Sequence, residues 1–129
     1  MVIVSLIFLV LAAICNAVMD VLSHHYYESV FNVKKFKSIW WNPEVSWICK
    51  YKEWNPALGL KKIWIFDMPF TDAWHAFKSL MIVFLCASIS LFDLGVFDFW
   101  WVRIICFCVY GAIWNMVFNL FYNKILRKK

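Results

Sequence analysis

Three long apolar runs constrain this chain more than anything else in it. Val2 to Leu22 is broken only by Ser5, Asn16 and Asp20, and the runs Ala73 to Leu94 and Phe99 to Tyr122 are apolar over most of their length. A helix rises about 1.5 Å per residue, so about 20 residues cross the hydrocarbon of a bilayer. Lipid offers no partner to an exposed peptide group, and a helix satisfies its own. Of the 129 residues, 64% are hydrophobic and 16% charged, against about 45–50% and about 25% in a soluble domain. A chain this short cannot bury that much apolar surface in water. The expected fold is an all-α membrane protein: one integral membrane domain, 1–129, built as a three-transmembrane-helix bundle with spans over about 2–22, 73–94 and 99–122.

The first run could instead be a cleaved signal peptide. No Lys or Arg precedes Lys34, and Ile14 stands where a cleavage site before Cys15 needs a small residue. A retained helix is expected.

Orientation follows from the basic residues of the loops. Lys34, Lys35, Lys37, Lys50, Lys52, Lys61 and Lys62 lie between the first two runs, and Lys124, Arg127, Lys128 and Lys129 follow the third. Between the second and third lies a turn with Asp93, Gly95 and Asp98 and no Lys or Arg. The charges alternate as three spans would, which places the N-terminus outside and the C-terminus in the cytoplasm of, most naturally, a bacterial inner membrane. Arg103, one turn into the third run, is expected to snorkel to the outer interface. The basic tail reads as an anchor for anionic headgroups rather than for nucleic acid.

The segment of about 25–71 is rich in Trp, Tyr, Phe and Lys, which favour the headgroup region. It should lie on the membrane and cap the bundle. Trp41-Asn42-Pro43 recurs as Trp54-Asn55-Pro56. Asn before Pro favours a helix start, so each copy should cap a short helix, one covering Glu44 to Glu53. Ile63-Trp64-Ile65-Phe66 could dip into the interface but is too short to span. Cys15, Cys86, Cys106 and Cys108 lie in apolar runs and read as small hydrophobes.

Residues three and four apart share a helix face. Asn16, Asp20 and His24 form one stripe. Asp72, His75, Ser79, Cys86 and Ser90 form a second, with Lys78 a step aside. Cys108, Gly111, Asn115, Asn119 and Tyr122 form a third. All three are expected to converge in the cytoplasmic half of the membrane, where ionisable residues usually have a task. Asp20, His24, Asp72 and His75 are a plausible ligand set for a divalent metal (Zn, Mn or Fe). His25 is an extra candidate ligand, and Lys78 and Glu28 are candidate acid–base groups. Such a site would suit a metal-dependent enzyme acting on a lipid or lipid-linked substrate. Against it stands a purely structural polar network across helices.

The strings Asp20 to His25, Trp41 to Trp47 with Lys50-Tyr51-Lys52, and Thr71 to Lys78 resemble small polytopic bacterial or phage membrane proteins with no assigned activity. The resemblance implies no role for any residue. Two other functions remain open: a non-enzymatic membrane protein, such as a holin-like pore former or assembly subunit, and a proton or ion pathway. Membrane lipids are the expected partners. A homo-oligomer that assembles the polar site between protomers is a further alternative.

Overall fold

The computed structural model describes residues 2–33, 38–63, 66–67, 71–91 and 100–127. Three long helices dominate it: α1 (Val2–His24), then, after the short elements α2, α3, β1 and β2 described below, α4 (Ala73–Leu91) and α5 (Trp100–Leu120). All three are long and apolar enough to cross a bilayer, as a multi-pass membrane protein requires. Helix α1 runs two residues beyond the expected Leu22, which puts His24 in its last turn. Helix α5 continues into a wide turn, Phe121–Ile125, closed by Leu126 N–H to the Phe121 carbonyl at 2.9 Å. The acidic turn expected around Asp93, Gly95 and Asp98 lies outside the described residues.

Helix α1 is the centre of the bundle, with α4 and α5 both packed against it. Lipid tails are as apolar as leucine, so helices in a membrane associate by close packing and hydrogen bonds rather than by hydrophobic exclusion. The residues of α1 suit that rule. Ser5, Ala12, Ala13 and Ala17 are fully buried, and Ala73 of α4 is too. Their small side chains let backbones approach. Ala13→Leu should wedge the interface open and cost about 1–3 kcal/mol. Detergent-titrated unfolding of the purified protein in bicelles would measure it.

Polar atoms fix the register of that packing. Ser5 Oγ donates to the Ser88 carbonyl at 2.7 Å, and Ser88 Oγ donates to the Ser5 carbonyl at 2.9 Å. The Tyr110 hydroxyl of α5 donates to Ser5 Oγ at 3.3 Å. One polar knot therefore joins all three helices.

The densest packing lies at the His24 end. Ala17, Val18, Val21, Leu22, Tyr26, Phe31, Ala73 and Leu126 form a buried cluster, with Trp40, Trp41, Trp74 and Phe77 packed on it. Trp41 stacks on Phe31, rings 4.6 Å apart and 7° from parallel. The C-terminal tail closes the cluster from below. Val30 N–H donates to the Leu126 carbonyl at 2.9 Å, and Arg127 pairs with Glu28 at 3.1 Å. The aromatic segment thus folds onto one end of the bundle, as its composition implied.

Within that cap, α2 (Ser38–Trp41) and α3 (Pro43–Ser46) are single turns, and a 3-10 turn follows at Trp47–Lys50. Both Asn-Pro pairs do cap: Asn42 Oδ1 accepts from Glu44 N–H, and Asn55 Oδ1 from Ala57 N–H, each at 3.0 Å. The helix expected to reach Glu53 does not. It ends by Tyr51, and Glu53 and Trp54 take left-handed φ of 49° and 61°. Backbone pairing across the loop explains the break: Lys61 N–H reaches the Lys50 carbonyl at 2.8 Å, and Lys52 N–H the Gly59 carbonyl at 3.0 Å. That closure pulls 51–60 into a loop, with Gly59 at φ 75° turning the return strand. Beyond it, β1 (Lys62–Ile63) pairs antiparallel with β2 (Phe66–Asp67). The expected dip at 63–66 has its centre, Trp64 and Ile65, outside the described residues.

The Tyr27 hydroxyl donates to the Glu44 carboxylate, tying the exit of α1 to α3. That hydrogen bond, first among several causes, raises the Tyr27 pKa above its ordinary 10.0. A raised pKa means the tie is complete below the ordinary tyrosine range and lost as pH climbs through the raised value. Glu44→Gln is expected to bring a late tyrosinate transition down toward 10.0 in an absorbance titration.

Candidate functional site

The first turn of α4 carries the most ordered pair of ionisable groups. Asp72 immediately precedes the helix, where the first N–H groups lack intrahelical partners. Its Oδ1 accepts from His75 N–H at 2.8 Å, an N-cap bond. The His75 ring folds back over the same carboxylate, Nδ1 lying 2.9 Å from both oxygens. Asp72 is only 2% exposed. An ionised carboxylate can only accept, so the Nδ1 facing it carries a proton; in the neutral ring that leaves Nε2 as the lone-pair acceptor. The His75 side chain is 36% exposed, so the ring is partly open to its surroundings.

The surroundings are aromatic and cationic. Trp74 meets His75 edge-on, centroids 5.0 Å apart. Lys78, one turn on, places its ammonium 5.1 Å from the Trp74 ring centre, in the range of a cation–π contact. Thr71, just before Asp72, has a buried hydroxyl with no hydrogen-bond partner among the described residues.

The other expected site residues lie elsewhere or in other roles. Asn16 and Asp20 are half-buried on α1, and His24 is exposed. Glu28 is held by Arg127 and lies 3.6 Å from His25 Nδ1. His25 packs edge-on to Tyr122, which stacks on Phe118. Ser79 is half-buried on α4. Asn115 and Asn119 are exposed and bonded to each other along α5. Thus Asp72 and His75 meet, while Asn115 and Asn119 of the α5 stripe point outward instead of joining them. Among the described residues no three His, Cys, Asp or Glu side chains come together as a group able to hold a metal.

Two features escaped the sequence reading. One is the Ser5–Ser88–Tyr110 knot. The other is a cleft of about 360 Å³ beside it, lined by Leu9, Leu85, Ile89, Arg103, Cys106 and Phe107 as well as Ser88 and Tyr110. Arg103, expected merely to snorkel, borders this cleft. Its depth beside Tyr110 and Ser88 was countable from the sequence, but the rotation that brings them together was not.

Comparison of the chain with known protein families, with curated proteins and with solved structures finds no match to any of them.

Proposed function

We propose that this protein is a small membrane-embedded enzyme that acts on a lipid or lipid-linked substrate at the cytoplasmic interface, with His75 as general base and Asp72 as the group that positions it. The observation that supports this most is the Asp72–His75 pair itself. A buried carboxylate holds one edge of an imidazole whose side chain is otherwise partly exposed at the start of α4. That arrangement sets the tautomer and stabilises the imidazolium formed when Nε2 takes a proton.

In the proposed step His75 Nε2 removes a proton from water. The hydroxide attacks an ester carbonyl or phosphorus of the headgroup linkage. The imidazolium then returns its proton to the departing oxygen. Lys78 and the cap lysines, among them Lys50, Lys52, Lys61 and Lys62, supply positive charge for an anionic headgroup. The buried Thr71 hydroxyl, next to Asp72 in the chain, offers a further hydrogen-bonding atom. Orientation with the cap in the cytoplasm belongs to the same proposal and rests on the loop lysines.

A metal-dependent form of the proposal gives Asp72 the role of orienting His75, whose Nε2 would then be the ligand, as carboxylate–histidine–metal sites do. Asp20 and His24 would both have to close on it to complete the set of three or more ligands that zinc takes. Metal analysis of purified wild type beside His24→Ala and His75→Ala decides this form. Near-stoichiometric metal lost in both variants supports it; metal at trace level in wild type after refilling removes it.

The test of the enzyme reading uses the protein in vesicles of phosphatidylethanolamine and phosphatidylglycerol, read by release of fatty acid, headgroup and phosphate. Turnover by wild type that falls by about 10²–10⁴-fold in His75→Ala is the expected result. Equal release by both proteins would overturn it. A non-enzymatic membrane subunit is the second reading. What favours it is that Asp72 caps α4, a structural role that would keep the pair together without any reaction.

A further inference from the structure

We propose that the exposed face of α5 is the contact surface between two copies of this chain, arranged parallel about a two-fold axis, with Asn115 and Asn119 at its centre. Asn119 Nδ2 donates to the Asn115 carbonyl at 2.9 Å and to the Asn115 side-chain oxygen, and Asn123 Nδ2 donates to Asn119 Oδ1 at 3.2 Å. All three side chains are exposed, and no residue in the window that makes α5 a span is buried. A carboxamide carries two N–H donors and an oxygen with two lone pairs. The ladder uses only part of this capacity, and the Asn115 amide N–H group donates to nothing among the described residues.

Asn115 stands nine residues before Lys124, the first basic residue of the tail, or roughly 13 Å deeper at the helical rise. At that depth there is hydrocarbon and no water. An amide turned toward lipid there is costly, and interhelical partners are how membrane proteins relieve that cost.

The chemistry of the face selects a second copy as the partner. A carboxamide complements another carboxamide. All copies of one chain insert with the same orientation, so two of them pair in parallel, and residues near the two-fold axis meet their own counterparts at equal depth. A second copy therefore brings a matching ladder to the right level without any further requirement. Lipid tails bring no donor or acceptor at all.

Two independent features fit. Cys108, Ala112, Asn115 and Asn119 follow at spacings of four, three and four, the repeat of a left-handed helix pair, and all are exposed. Gly111 has no reason within its own chain to be glycine: a Cβ placed on it meets nothing within 4 Å. A neighbouring backbone in close approach gives it one.

The native Cys108 supplies the test. One variant keeps it alone, with Cys15, Cys49, Cys86 and Cys106 replaced by Ala. A control keeps only Cys106, which lines the cleft on the opposite face of α5. In membranes treated with iodine, which oxidises two facing thiols to a disulfide, the Cys108 chain should give a covalent dimer of twice the 15.4 kDa chain. The Cys106 control should give at least about tenfold less. Adding Asn115→Leu and Asn119→Leu should lower the Cys108 dimer about tenfold, the effect expected from losing interhelical amide contacts. Equal cross-linking at both cysteines, no dimer from Cys108, or an adduct with a chain of another mass would each overturn the proposal. Energy transfer between terminally labelled wild-type chains in vesicles tests it without any cysteine change. Transfer that falls on dilution with unlabelled chain supports it, and no transfer at any protein-to-lipid ratio overturns it.

Discussion

Asp72→Asn is expected to lower turnover by about 10²–10⁴-fold while leaving the stability of the protein almost unchanged. The two halves of that expectation come from different atoms of one side chain. As a helix cap, Asn is nearly as good as Asp, because either offers an oxygen to the His75 N–H. As a partner for the imidazole they differ. Asp72 can only accept, which keeps the proton on Nδ1 and Nε2 free to act as base. The Asn amide can instead donate to Nδ1, which favours the tautomer with Nε2 protonated and useless as a base. It also removes the negative charge that stabilises the imidazolium. Asp72→Ala loses the cap as well and should cost about 0.5–2 kcal/mol. The pair of variants therefore separates the two readings. If Asp72→Asn keeps full turnover and only Asp72→Ala is impaired, Asp72 is a cap and His75 is not the base. Vesicle turnover and bicelle unfolding, run on the same preparations, read both quantities.

The spans and the cap were legible in the sequence because lipid writes its demand in composition. A helix in hydrocarbon needs a long apolar run, and the three runs stand out. The Asn-Pro caps were legible for a local reason: the oxygen of Asn42 or Asn55 reaches the N–H two residues on, inside one turn. The rotations of the helices were not legible. In water, a polar stripe on a helix faces out and an apolar stripe faces in. In a bilayer the surroundings are apolar on every side, so the expectation that Asn115 and Asn119 turn inward to meet Asp20 had nothing in the sequence to fix the rotation. The structure turns them outward. Several of the most deeply buried residues of α1 are small, Ser5, Ala12, Ala13 and Ala17. Small size, which lets backbones approach, was a more usable signal there than polarity. The end of α3 was illegible for another reason. Nothing near Tyr51 in sequence stops the helix; the Lys50–Lys61 and Lys52–Gly59 pairings do, and they join residues seven to eleven apart.

Leu22→Ala should cost about 2–5 kcal/mol, the range for a leucine deleted from a tight core. Leu22 is 1% exposed in the last turns of α1, in the cluster that holds Tyr26, Phe31, Ala73 and Leu126. Those residues come from the exit of α1, the start of α4 and the C-terminal tail. Truncating Leu22 thus opens a cluster to which three other stretches of chain contribute. They cannot all move in, because Trp41 is already stacked on Phe31 behind them. A cavity remains, and its walls lose their dispersion contacts. Ile3→Ala, on the same helix but 76% exposed, should change stability by no more than about 0.5 kcal/mol. The contrast follows from where burial lies. At the Val2 end α1 touches its neighbours along one small-residue face. At the His24 end it is wrapped by the cap and tail, and there a leucine has a core to lose. Bicelle unfolding of the two variants measures the difference. A loss in Leu22→Ala no larger than in Ile3→Ala would mean that the cap does not hold the bundle, and that the Asp72–His75 pair above it is not fixed by that core.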